Sequence, residues 1–130
     1  MTEEIFKQEI KEVLASWCEA VNSRVVDEVV KHYAVDGILW GTISAIIRPG
    51  HELIKDYFEN FLSKDGIRGE IIEQHTRIYG DMAVNSGSYL FSWLEKGEQV
   101  SEEARFSFVY RKQNDKWLIV DHHSSFSPKL

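Results

Sequence analysis

Between Thr2 and Val21 the apolar residues Phe6, Ile10, Val13, Leu14, Trp17 and Val21 return at three- and four-residue steps. That period predicts an amphipathic helix of about five turns. Thr2 starts it, with Glu3 and Glu4 at the positive end of its dipole, and Asn22-Ser23 interrupts it. A shorter helix carrying Val26, Val29, Val30 and Tyr33 is expected next, stopped before the turn signal Asp36-Gly37. Ile38-Leu39-Trp40 and Ile43 to Ile47 predict a pair of short strands. After Pro49-Gly50, the residues Leu53, Ile54, Tyr57, Phe58, Phe61 and Leu62 give a third amphipathic helix, ending near Ser63-Lys64-Asp65-Gly66.

Beyond that point the period changes to two. Arg68 to Tyr79, Met82 to Leu94, Val100 to Arg111 and Lys116 to Phe126 are alternating segments, separated by Gly80-Asp81, Glu95 to Glu98 and Gln113-Asn114-Asp115. Short connections of this kind predict an antiparallel meander of four long strands. Helices first and strands afterwards is the α+β pattern, with three N-terminal helices packed on one face of a curved sheet. No repeat or linker divides the chain, so one domain over residues 1–130 is expected.

Alternation also assigns faces. Phe106, Phe108 and Tyr110 point one way; Arg105, Ser107, Val109 and Arg111 point the other. In the preceding strand, Ala83, Gly87, Tyr89, Phe91 and Trp93 share one face, while Val84, Leu90 and Leu94 share the other with three serines. A sheet that is apolar on both faces needs cover on both. With the helices on one side, the expected cover on the other is a second subunit.

Composition narrows the partners. A formal charge of -6 with no basic stretch disfavours nucleic acid and anionic membrane surfaces. No apolar run approaches the ~20 residues that cross a bilayer, and the charged start MTEEIFKQEIKEV is unlike a signal sequence. The lone Cys18 forms no intrachain disulfide and suits a reducing compartment, so the cytoplasm is the expected location.

The order helix–helix–strand pair–helix–meander resembles the NTF2-like (cystatin-like) superfamily. Tyr57-Phe58-Glu59-Asn60, Phe61-Leu62-Ser63-Lys64 and Lys116-Trp117-Leu118-Ile119-Val120 with His123-Ser124-Ser125 resemble the calcium/calmodulin-dependent protein kinase II association domain. Asp36-Gly37-Ile38-Leu39-Trp40-Gly41, Arg48-Pro49-Gly50 and Phe108-Val109-Tyr110-Arg111-Lys112-Gln113 are similar to its stand-alone bacterial relatives, the SnoaL-like and enediyne-cluster proteins. The resemblance implies a sheet curled around a cone-shaped cavity. It also implies a non-catalytic hub that assembles from dimers into rings. With no kinase domain ahead of Met1 in this sequence, the expectation is a hub without its kinase. The wider superfamily includes isomerases, dehydratases and cyclases that place an acid or base in the same cavity, so the fold supplies a location rather than a chemistry.

Several residues could serve that cavity. Asp121 and His123 fall on one strand face with Trp117 and Ser125, and a carboxylate orienting an imidazole is an acid/base or ligand anchor. The plainer alternative is a hydrogen-bonded polar pair at an interface. Adjacent His122 and His123 point to opposite faces and do not chelate one ion, so no metal is expected. Tyr33, Trp40, Tyr57 and Tyr89 are large amphipathic groups on four elements that the resemblance brings to the cavity; each is either core or a polar handle on a ligand. Arg105 is a cation for a ligand carboxylate or a solvated surface group. Glu73, His75 and Arg77 form a polar ladder on one strand face. Asp36 suits a turn, and Cys18 suits packing. No phosphate loop, nucleophile elbow or zinc signature is present, so no cofactor is expected.

Two functions follow. One is a non-catalytic, homo-oligomerising domain (dimer or larger ring) with a cavity for a small organic ligand. The other is a small isomerase, dehydratase or cyclase using Asp121 and His123, with Tyr89, on an apolar carbonyl compound.

Overall fold

The computed structural model describes residues 2–130. The helical stripe forms as α1 (Thr2–Ser23), with Ile10, Leu14, Trp17, Cys18 and Val21 buried. Asn22 anchors its C-terminal end. The Asn22 amide Nδ2 donates to the Gly69 carbonyl at 3.1 Å, and the Gly69 N–H donates back to Asn22 Oδ1 at 2.7 Å. One side chain thereby satisfies both backbone groups of a strand residue, as a neighbouring strand would.

The chain continues as α2 (Val26–Val30), β1 (Tyr33–Trp40), β2 (Arg48–Pro49) and α3 (His51–Phe61). Four long strands follow: β3 (Asp65–Tyr79), β4 (Met82–Glu95), β5 (Glu98–Gln113) and β6 (Lys116–Phe126). The sheet has six strands in the order β2-β1-β6-β5-β4-β3, and the architecture is the expected α+β class. The four-stranded meander is present. Its last strand, β6, also runs parallel to β1, which brings the short pair into the same sheet.

Three expectations about the first half are corrected. Tyr33 lies in no helix; it opens β1, opposite Ile119. Asp36-Gly37 marks an irregularity inside that strand rather than its boundary, because the register jumps between Tyr33 and Ile38. Gly37 is required there, since a Cβ would lie 2.8 Å from the Ile119 carbonyl oxygen. The run Ile43 to Ile47 is not a strand. Ser44 diverts its backbone: Ser44 Oγ donates to the Ile46 carbonyl at 2.8 Å, and Arg48 Nε donates to Ser44 Oγ at 2.9 Å. Local side-chain bonds of this kind compete with strand pairing. The partner of β1 is Arg48–Pro49 instead.

One-residue irregularities bend the long strands. On β3 the register shifts between Ile71 and Glu73; on β6 it shifts between Ile119 and Asp121. An extra residue moves every later side chain to the other face. Ile67, Gly69 and Ile71 therefore face the helices before the first shift, and Gln74, Thr76 and Ile78 do so after it. On β6 the inward set is Trp117 and Ile119, then His122 and Ser124.

The space between helices and sheet is filled by rings. Trp17 is 1% exposed and sits at the centre. It stacks on Tyr89 at 5.8 Å and meets Phe58, Phe108 and His122 edge-on. Tyr57, Phe58, Phe61, Phe91, Phe106 and Tyr110 complete the packing. Each such ring removed from water contributes roughly 2–3 kcal/mol before entropy. Among the described residues, no helix is long and apolar enough to cross a membrane.

Candidate functional site

Trp17, Tyr33, Tyr89, His122 and Ser124 come from four elements and meet inside this aromatic interior. α1 delivers Trp17, the start of β1 delivers Tyr33, β4 delivers Tyr89, and β6 delivers His122 and Ser124. His122 is 2% exposed. Its Nδ1 lies 2.8 Å from the Tyr33 hydroxyl, and its Nε2 lies 3.2 Å from that of Tyr89. Trp17 Nε1 donates to the Tyr33 oxygen at 3.3 Å, Tyr89 donates to Ser124 Oγ at 2.6 Å, and Ser124 is hydrogen-bonded to Thr42.

The proton inventory gives this chain a direction. An indole N–H only donates, so Tyr33 accepts from Trp17. Tyr89 spends its one hydrogen on Ser124 and so accepts from His122 Nε2, which leaves Nδ1 to accept the Tyr33 hydrogen. The imidazole then carries its hydrogen on Nε2 and donates to Tyr89. Tyr89 passes the sequence on to Ser124, which shares a hydrogen bond with Thr42 in which either hydroxyl can donate. Burial holds the imidazole neutral, with a pKa pushed down to about 3, and the adjacent His123 adds to the shift. Burial also raises the Tyr33 and Tyr89 phenols, so both stay protonated. A buried network with every member paired is rigid and costly to disturb.

Thr42 also lines a small cavity. The cavity has a volume of about 120 Å³ and is lined by Thr42, Ile43, Phe61, Lys64, Phe91, Trp93, Glu102 and Phe126. A wider groove of about 520 Å³ runs outside, between α1 and the β5–β6 hairpin, past Glu9, His32 and Trp117. There Glu9 accepts from Lys112 and from Trp117 Nε1, and those bonds lower its carboxyl pKa.

The residues singled out from sequence divide between the two faces of the sheet. Tyr33, Tyr57 and Tyr89 lie inside, at 1%, 5% and 2% exposure. Trp40, Arg105, Asp121 and His123 lie on the opposite, outer face. Trp40 follows the inward Leu39 on β1 and therefore points out, where its Nε1 donates to Asp121 Oδ1 at 3.1 Å. His123 is exposed, with its ring edge-on to Trp40 at 6.1 Å. The placement of Asp121 and His123 in the cavity, on one face with Trp117, is thus corrected. The irregularity at Val120 reverses the alternation, and His122 takes the interior position. Arg105 is exposed, between Ser88 and Ser125 on the neighbouring strands.

Sequence reasoning missed His122, Ser124, Trp17 and Thr42 as members of one network. The alternation carried no signal for His122 and Ser124, which fit the inward set of Trp117 and Ile119 only when it is displaced by one.

On the outer face, registry lines up His75, Ser86, Ser107, His123 and Trp40 across β3, β4, β5, β6 and β1. The adjacent row is Arg77, Val84, Val109, Asp121 and Ile38. No lysine stands in either row, and serines keep the centre low.

Comparison with known proteins gives these features a setting. The family model described as the calcium/calmodulin-dependent protein kinase II association domain matches residues 6–128. A Xanthomonas campestris structure, described as a candidate association domain of that kind, is 37% identical with a TM-score of 0.87. The match covers 94% of this chain and 88% of that one. An NTF2-like protein with a cystatin-like fold from Novosphingobium aromaticivorans superposes with a TM-score of 0.81 at 15% identity, covering 95% and 82% of the two chains. A candidate dehydratase of the NTF2-like family from Streptomyces avermitilis does so at 0.86 and 12% identity, covering 97% and 99%. The last two likenesses speak for the fold alone. No curated protein matches the sequence.

Proposed function

The chain belongs to the calcium/calmodulin-dependent protein kinase II association-domain family, and from that premise we propose that it is a non-catalytic, self-associating NTF2-like domain with a small ligand cavity. The observation that carries this reading is the outer face of the sheet. Stable interfaces are poor in lysine and rich in arginine and aromatic groups. The two central rows fit that composition, with Val84, Val109 and Trp40 beside Arg77 and Asp121, and Arg105 stands in a neighbouring row. Low serines at Ser86 and Ser107 let a second sheet approach to the usual ~10 Å spacing. Positive and negative groups are interspersed, so a two-fold partner finds opposite charge across from its own. In this reading Asp121, His123, Trp40 and Arg105 serve the contact between copies.

The interior favours binding over turnover. A substrate of cyclase or isomerase size would need the space now filled by Trp17, Tyr89, Phe106 and Phe108. Among the described residues the buried polar ones are Asn85, Ser88, His122 and Ser124, and burial holds the histidine neutral.

Size-exclusion chromatography with light scattering at micromolar concentration tests the proposal. A dimer or larger ring is expected. A 15.1 kDa monomer would overturn it.

A further inference from the structure

The groove between α1 and the β5–β6 hairpin holds a pair of side chains outside the aromatic interior. Ser16 Oγ lies 3.1 Å from His32 Nε2, and His32 Nδ1 lies 3.0 Å from the Glu28 carbonyl oxygen. Both residues line the groove, whose volume of about 520 Å³ is that of a small-molecule site.

The Glu28 carbonyl assigns the roles. A backbone oxygen only accepts, so Nδ1 carries the ring hydrogen and donates to it. Nε2 keeps the lone pair of the neutral ring, and the Ser16 hydroxyl donates there. Burial pulls the His32 pKa below its ordinary value, against the opposing carbonyl bonds, so the ring is neutral at about pH 7. A hydroxyl bonded to an imidazole that a third group orients is the arrangement that activates a serine.

Rigid structure holds the pair. Their sequence neighbours Trp17 and Tyr33 are bonded to each other in the interior at 3.3 Å, and the Ile119 N–H donates to the His32 carbonyl at 2.9 Å. Ser16 itself is exposed, so an incoming carbonyl carbon reaches it.

The surroundings choose the reagent. Val13, Trp117 and Leu118 give the groove apolar surface. Glu9, Glu12 and Asp115 outnumber Lys31 and Lys116 in its lining, which disfavours an anion. Ser16 lies inside α1, where backbone N–H groups are spent on the helix and form no oxyanion hole. Attack there needs a good leaving group, and hydrolysis of the resulting ester is slow for the same reason. The reaction stops at the acylated serine.

We propose that Ser16 is a covalent acylation site for uncharged thioesters with an apolar acyl chain, with His32 as its base. Ser16 Oγ bonds to the thioester carbonyl carbon, and its hydrogen passes to His32 Nε2. The carbon–sulfur bond then breaks, and His32 returns the proton to the departing thiolate. The products are an ester on Ser16 and a free thiol. The modification is stoichiometric, so it goes beyond the non-catalytic reading above without displacing it, and one chain supplies the whole site.

Hexanoyl N-acetylcysteamine is a probe of this class. With the full chain it should deposit one hexanoyl group, mapped to Ser16 by peptide mass spectrometry, and release an equal amount of thiol. Ser16→Ala should remove that group, and alanine at an exposed helical position spares the fold. His32→Gln should slow the reaction about a hundred-fold. In the unaltered chain the rate should level off by about pH 7, following the neutral imidazole, whereas acylation of lysines keeps rising toward about pH 10. That profile carries the same test should His32→Gln not fold. Acylation confined to lysines or Cys18, or none at all, would overturn the site. An equal rate in His32→Gln, or a rate that climbs with the lysines, would overturn the base. Oligomeric state, read separately by light scattering, bears on none of these outcomes.

Discussion

Phe108 lies nearly flat on His122, with ring centroids 3.9 Å apart and planes inclined by 17°. The two residues face each other across β5 and β6, so the stack is set by strand register and not by a flexible loop. Trp17 closes the edge of the imidazole, and the two tyrosine hydroxyls take its nitrogens. The imidazole is surrounded on all sides by groups that suit its neutral form.

That arrangement makes the fold acid-sensitive in a defined window. In the unfolded chain His122 takes a proton near its ordinary pKa of about 6.5; in the folded chain it does so only near 3. Between those values the unfolded state binds more protons, so stability falls as pH is lowered. The slope from this group approaches about 1.4 kcal/mol per pH unit. Denaturant midpoints measured from pH 7 to pH 4 should show it, and His122→Gln should flatten the curve. An unchanged slope in that variant would assign the acid sensitivity to other groups.

Tyr33→Phe removes one hydroxyl and strands two groups. The Trp17 N–H loses its acceptor and His122 Nδ1 loses its donor, both in the dry interior. The expected loss is about 1–3 kcal/mol, read as a lower melting temperature with native circular dichroism. A loss under roughly 0.5 kcal/mol would mean that the network is replaceable by water or repacking.

Gly87→Ala tests the pairing of β3 with β4. A Cβ at this position would lie 1.9 Å from the Glu73 carbonyl oxygen, which is backbone and has no rotamer to escape into. The strands must separate locally next to the shift at Ile72. A destabilisation of about 1–3 kcal/mol is expected by chemical denaturation. Full stability would show that the close approach relaxes without strain.

Much of the fold could be read from the sequence because long periodic segments constrain it. The α1 stripe from Ile10 to Val21 and the inward set Phe106, Phe108 and Tyr110 lie as alternation placed them. The site was read less well, and for one physical reason. Period-two alternation assigns a face only up to the next irregularity. Nothing in Ile119-Val120-Asp121 marks an inserted residue, because its cause lies in β5 and β1, which pair with β6 in shifted registers. Asp121 and His123 therefore exchanged sides with His122 and Ser124. Trp40 is brought to the cavity by the resemblance alone; in β1 it follows the inward Leu39 and faces out.

Val109→Asp addresses the outer face. Val109 pairs with Asp121 on β6 and with Val84 on β4, so a carboxylate there adds like charge to the middle of the proposed contact. The chain should keep its fold and lose self-association, visible as a shift to the monomer in sedimentation velocity. A variant that assembles like the unaltered chain would move the contact to another surface. A cooperative thermal transition in the same variant would show that its fold persists and keep the two effects separable.

The parallel seam between β1 and β6 has a consequence for biosynthesis. Tyr33 and Ile119 meet although about two thirds of the chain lies between them, and Trp17 reaches its partners Phe108 and His122 only once the last hairpin exists. Synthesis proceeds from the N-terminus, so the aromatic face of α1 leaves the ribosome long before anything can cover it. Closure of such distant segments is slow, and uncovered rings are aggregation-prone while they wait. Nascent chains of this protein are therefore most prone to aggregate in the interval before β6 emerges.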